Sequence, residues 1–197
     1  MNDLTQTQSL PAGTATFLFT DIERSTELWE RHRDKMPRAL ERHDSVLRDV
    51  IAACGGRVFK EVGDAFHAVF ADAALAVEAA IAIQRSLMAE TWETPEPIRV
   101  RIAVHSGDAQ HRGGDYFGPT LNRTARILAA GHGGQILLSQ SVERLVLDRF
   151  PEGAALRDLG ERRLKDLDRP ERLFQLVAND LEVDFPPLRT LDARPHN

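Results

Sequence analysis

The chain has 197 residues, 42% of them hydrophobic and 28% charged, with a formal net charge of −5. That length supports one well-buried core with a tail rather than two full domains, and the acidic balance argues against an electrostatic grip on nucleic acid or an anionic membrane. A single cysteine, Cys54, excludes an internal disulfide framework, and no apolar run reaches the roughly 20 residues of a membrane span, so the expectation is a soluble, cytoplasmic protein.

Residues 1–13 are polar and read as a flexible N-terminus, followed by a catalytic-sized domain over 14–177. Residues 14–20 are short, β-branched and aromatic, a buried strand that runs into Asp21. Ser25 and Thr26 stand where a helix cap is wanted, and apolar residues recur at helical spacing over 27–54, with a break expected at Pro37. Gly55-Gly56 ends that helix. Residues 57–60 and 65–70 read as two strands of a hairpin around a Gly63-Asp64 turn.

The alanine-rich stretch 71–90 is a helix, and Pro95 and Pro97 punctuate the loop after it. Alternation over 98–106 gives a half-buried strand, then 107–114 reads as a polar turn. Residues 117–130 form a helix closed by Gly131-His132-Gly133-Gly134. A strand at 135–138, a helix at 140–149 and short strands at 155–159, 162–164 and 173–177 complete the order. From Ala178 periodicity disappears, and 178–197 reads as a proline-rich tail or linker. The hairpin excludes an all-parallel sheet. The fold class is α+β, a mixed sheet with helices packed on one face.

Two apolar strands each end on one carboxylate, Asp21 and Asp64. Brought side by side, they could hold divalent metal against a phosphate, since magnesium favours one or two protein carboxylates plus phosphate oxygens. Either alone would pass for a helix cap or a turn residue. Lys60 precedes Asp64 by four residues and could be an ordinary edge-strand lysine. Asn122 and Arg126 are four apart on one helix face, a pairing suited to a ribose hydroxyl and a phosphate. Arg123 points elsewhere, as a solvated cation.

The segments Phe19-Thr20-Asp21-Ile22-Glu23, Phe59-Lys60-Glu61-Val62-Gly63-Asp64-Ala65-Phe66 and Asp115-Tyr116-Phe117-Gly118-Pro119-Thr120-Leu121-Asn122-Arg123-Thr124-Ala125-Arg126 resemble, in order and spacing, the signatures of class III nucleotidyl cyclases. Residues 159–174 also resemble the family's C-terminal segment. The resemblance implies a ferredoxin-like cyclase fold, and a bacterial adenylyl cyclase that turns ATP into 3′,5′-cyclic AMP and pyrophosphate. Asp21, Asp64 and the Ile22 carbonyl would bind two Mg²⁺ or Mn²⁺ ions. Lys60 and Asp115 would read adenine, Asn122 would orient the ribose, Arg126 would stabilise the α-phosphate and Lys165 would hold the terminal phosphates.

It further implies a homodimer whose two sites each draw on both chains. Residues 184–195 resemble a linker that leads, in longer relatives, into a regulatory ATPase and transcriptional region. Two alternatives stand beside the adenylyl reading: a degenerate, nucleotide-sensing dimerisation module, and a guanylyl cyclase. Glu61 departs from the family's small or hydroxylic residue, and 107–114 is shorter than the corresponding arm in some relatives. The histidines show no metal spacing, and Trp29 and Trp92 read as packing residues.

Overall fold

A computed structural model describes residues 13–193, so most of the flexible N-terminus expected at 1–13 and the last four residues lie outside the described residues. The elements follow as β1 (Gly13–Ile22), α1 (Ser25–Arg31), α2 (Met36–Ala53), β2 (Arg57–Val62), β3 (Ala65–Phe70), α3 (Ala73–Ala89), β4 (Val100–Arg112), β5 (Asp115–Phe117), α4 (Pro119–Ala130), β6 (Ile136–Ser139), α5 (Gln140–Val146), β7 (Ala154–Arg162) and β8 (Glu171–Ala178), with a short 3-10 turn at Leu191–Ala193. The strands form one mixed sheet in the order β2-β3-β1-β4-β6-β8-β7, with β5 paired to β4. Only β4 and β6 run parallel; the other pairs are antiparallel. This is the α+β, ferredoxin-like arrangement the sequence predicts. No helix among the described residues is long and apolar enough to cross a membrane.

Side chains alternate across the pleat, so each central strand must bury both faces. One face carries Leu18, Ile22, Ile102, Val104, Ile136 and Leu138 and is covered by α1, α2, α3 and α5. The other carries Phe17, Phe19, Ala103 and Leu137, packed by Ile127, Leu128 and Ala130 of α4. Helices therefore lie on both faces, not one. Phe17 and Phe19 explain the difference, because each fully buried aromatic contributes about 2–3 kcal/mol that an open face would forfeit.

Local departures from the sequence reading have equally local causes. The region 27–54 is two helices, and Pro37 sits in the first turn of the second, where its missing N–H costs nothing. The N-cap of α1 is Arg24 rather than Ser25 or Thr26. Its backbone is left-handed (φ 58°), and its side chain pairs with Glu27 instead of capping. Residues 107–112 continue β4, because β1 pairs with that strand as far as Ala109 and β5 takes over from Gln110. The expected strand at 162–164 is absent beyond Arg162, which ends β7.

The tail carries no strand, yet it is laid along the domain. Leu188 is 8% exposed in the second core, Pro187 O accepts from or faces His132 Nε2 at 3.1 Å, and the Arg189 N–H donates to Ala130 O at 2.9 Å. Burial of Leu188 alone is worth about 2 kcal/mol, comparable with two backbone hydrogen bonds.

Candidate active site

The last full turn of β1 places Asp21 opposite Arg101 on β4, and a directly opposed pair shares a face of the sheet. Arg101 grips Asp21 with two hydrogen bonds of 2.6 Å, from Nε and Nη2. The β2–β3 turn brings Asp64 to the same place: its Oδ2 accepts the Ile22 N–H at 2.8 Å. Gly63, at φ 62°, supplies the left-handed turn that this approach needs. Burial pushes the Asp21 carboxyl up from its ordinary value, Arg101 opposes that, and the neighbouring Asp64 charge pushes the same way as burial.

Two crowded carboxylates at a strand end are what a hard divalent cation relieves, and the Ile22 carbonyl adjoins them in the chain. The donor set fits magnesium or manganese: oxygen only, two carboxylates, with positions left for phosphate. No group of three or more His, Cys, Asp or Glu side chains with metal-holding geometry exists among the described residues, so two carboxylates are the protein's whole acidic contribution here. Sequence reasoning missed Arg101. The signal was its place in the alternating strand 98–106, one residue out of phase with the apolar face, but nothing in the sequence shows which residue it opposes.

Arg101→Gln tests this pairing in the metal-free protein. It leaves the part-buried Asp21 carboxylate without its partner, at a cost of about 2 kcal/mol or a Tm fall of roughly 4–8 °C. Added Mg²⁺ should recover most of that loss in the variant; a thermal melt unchanged by the substitution would show that Arg101 is not what balances Asp21.

Lys60 and Asp115 form a second group on the same face, with Nζ 2.5 Å from Oδ2. The Lys60 hydrogen bond holds the Asp115 carboxyl below its usual range, helped by the Tyr116 N–H. His67 lies opposite Lys60 in the hairpin and stacks on Phe19 at 3.8 Å, with Phe59 and Tyr116 alongside. Burial and the Lys60 charge keep the His67 ring neutral. The pair thus stands on an aromatic floor. The stacking of His67 on a cross-strand neighbour depends on register, which spacing along the chain does not show.

The third group is carried by α4 and the loop after β7. Asn122 is exposed, and Arg126 pairs with Asp166 at 2.7 Å. Lys165, next to Asp166, is exposed and has no ion-pair or hydrogen-bond partner among the described residues. Arg123 is not a solvated cation: it meets Glu171 at 2.7 Å, whose side chain is 9% exposed and whose carboxyl burial pushes up. An unpaired charge at Glu171 would be costly, so Arg123 is committed to structure. Glu61 faces the opposite side of the sheet and is held by Arg48 at 2.7 and 2.9 Å. His105 is buried, hydrogen-bonded to Ser139 Oγ at 2.8 Å, and lowered to about 4 by burial, so it is a neutral packing residue.

Four cavities of about 220–250 Å³ among the described residues are lined by other side chains, and none of these four includes Asp21, Asp64, Lys60, Asp115, Asn122, Arg126 or Lys165. By register Asp21 and Lys60 share the α4 face of the sheet with Phe19, and Val62 and Phe117, two residues beyond Lys60 and Asp115, are exposed.

Comparison with known proteins identifies the family. Residues 7–176 match the family described as the adenylate and guanylate cyclase catalytic domain. An uncharacterized protein of Mycobacterium tuberculosis is 41% identical over 187 residues, covering 94% of this chain and 63% of the relative. The chain is 30% identical to the adenylate cyclase of Schizosaccharomyces pombe, covering 88% of itself and 13% of that enzyme. It therefore spans less than two thirds of these relatives. Among solved structures, a Trypanosoma brucei adenylate cyclase in its monomeric state superposes with a TM-score of 0.82 at 25% identity, over 91% of this chain and 95% of that one. An adenylate/guanylate cyclase/hydrolase from Silicibacter pomeroyi gives 0.73 at 30%, over 84% and 97%. With two strand-end carboxylates, a preformed Lys–Asp pair and a match across most of its length, the chain belongs to the adenylate and guanylate cyclase catalytic domain family.

Proposed function

We propose that the protein is an adenylyl cyclase that converts ATP to 3′,5′-cyclic AMP and pyrophosphate at sites completed across a homodimer. The carrying observation is that the candidate groups, Asp21 with Asp64, Lys60 with Asp115, and Arg126 with Asp166 next to Lys165, line none of the four cavities described above. A second copy of the same face supplies what each group lacks, and a two-fold axis then makes two equivalent sites.

Asp21, Asp64 and the Ile22 carbonyl would hold the metal. Mg²⁺ or Mn²⁺ bound there would lower the pKa of the ribose 3′-hydroxyl and neutralise the triphosphate. Arg101, which holds Asp21 in the metal-free chain, would be available to a phosphate oxygen were that carboxylate committed to a metal. From the partner, Asn122 orients the ribose, Arg126 exchanges Asp166 for the charge growing on the α-phosphate, and Lys165 holds the terminal phosphates. In-line attack by the 3′-oxygen forms the new P–O bond as pyrophosphate leaves. Positioning and electrostatics supply the acceleration, since no side chain stands as a dedicated base.

Base choice follows from Lys60 and Asp115. Adenine inserts between them, the lysine donating to a ring nitrogen and the ionised aspartate accepting from the exocyclic amine. Guanine presents a carbonyl there, which Asp115 repels. In a side-by-side ATP and GTP assay, Asp115→Ala should cut the ATP preference in kcat/KM at least about tenfold. An unchanged ratio would remove Asp115 from base reading. The decisive test of the function itself is cyclic AMP production from Mg-ATP or Mn-ATP across protein concentration, with specific activity rising as the dimer forms. Nucleotide binding by a stable dimer without turnover would favour a sensing module instead.

A further inference from the structure

The segment after β8 touches its own chain next to two of the three functional groups. Arg189 Nη2 binds Glu23 Oε1 at 2.5 Å, and Glu23 directly follows Ile22. Burial alone would raise the Glu23 carboxyl; the Arg189 hydrogen bond and the Gly133 N–H overcome it and hold it down. Arg189 also lies within electrostatic reach of Asp21. Three residues later, Asp192 Oδ2 accepts the Arg163 N–H at 2.7 Å, and the Leu191 N–H donates to Arg163 O at 3.0 Å. Arg163 leads through buried Leu164 into Lys165 and Asp166, the partner of Arg126. Between the two contacts, Leu188 is seated in the core and Arg189 N is tied to Ala130 O. The strap is short and anchored in the middle, so neither end moves freely.

We propose that residues 187–192 are a positioning strap for both halves of the cyclase site, with Arg189 setting the metal end and Asp192 setting the phosphate end. The inference rests on the divided-site reading above and deepens it. In a dimer with shared sites, the metal group of one chain serves one site and the Lys165–Arg126 group serves the other. One strap then touches both active sites at once, and displacing it disturbs the two together. Neither Arg189 nor Asp192 meets substrate; each acts through the residue it holds, the Glu23 carboxylate in one case and the Arg163 backbone N–H in the other.

The two ends can be tested separately, because both side chains are exposed and their removal leaves the core intact. In the full chain, Arg189→Gln should raise the Mg²⁺ concentration for half-activation roughly threefold to tenfold while the KM for ATP stays within about twofold. Arg189→Lys should recover most of that shift. Asp192→Ala should do the reverse, raising the KM for ATP by a similar factor with the Mg²⁺ constant unchanged. Amide hydrogen exchange gives a readout free of turnover: faster exchange over 21–26 for Arg189→Gln, and over 161–167 for Asp192→Ala. Parallel shifts of both constants in both variants would mean general loosening and overturn the proposal, as would exchange and constants that do not move. If the wild-type chain makes no cyclic nucleotide, the cyclase reading fails alone, and local exchange at the two named segments still decides the strap.

Discussion

Asp21→Asn should lower kcat for cyclic AMP formation by roughly a hundredfold to a thousandfold, with the KM for ATP changed far less. The amide keeps the size of the carboxylate and one acceptor for Arg101, so folding survives with a Tm fall comparable to that of Arg101→Gln. What is lost is the charge. Asp64 alone cannot hold a divalent ion against a triphosphate, and Arg101, no longer neutralised, adds a positive charge that repels the ion. On the proposed reading, ATP is held by the partner's Lys60, the partner's Asp115 and the partner's Lys165, so the substitution leaves those contacts in place. The measurement is a steady-state assay with Mg²⁺ and with Mn²⁺ over a wide range. Activity within tenfold of wild type would falsify the assignment of Asp21 as a metal ligand. Partial recovery at high Mn²⁺ is expected, because Mn²⁺ binds a given oxygen and nitrogen site at least as tightly as Mg²⁺.

Much of this site was legible in the sequence because its residues sit at places where local rules fail. An apolar strand that stops on Asp21, and a hairpin whose Gly63-Asp64 tip must turn left-handed, are both odd enough to notice without a structure. The core followed from alternation: Phe17 and Phe19 against Leu18, Ile102 and Val104 against Ala103. What escaped depends on register. Arg101 opposing Asp21, His67 under Lys60 and Arg123 reaching Glu171 are contacts across 80, 7 and 48 residues or between neighbouring strands, and no spacing along the chain encodes them. The tail escaped for another reason. Lacking periodicity, residues 178–197 read as a tail or linker, yet buried Leu188 and a series of polar contacts from Val183 to Asp192 fasten that part to the domain, a kind of order that pattern reading does not detect.

Mixing two inactive variants should restore activity. If each site takes its metal carboxylates from one chain and its transition-state arginine from the other, Asp21→Asn and Arg126→Ala homodimers are both inactive at both sites. In a heterodimer the two lesions fall together in one site. The other site joins the intact Asp21 and Asp64 of the Arg126→Ala chain to the intact Arg126 of the Asp21→Asn chain. Random exchange makes half the dimers mixed, each with one complete site, so total activity should return to about one quarter of wild type. The gain over either variant alone is then more than tenfold, and it should grow with the time allowed for subunit exchange. Arg126→Ala frees Asp166, which is 56% exposed and needs no partner, so the variant should fold and dimerise. A site built within a single chain predicts the opposite: each variant carries its own lesion wherever it goes, and the mixture does no better than the mean of its parts.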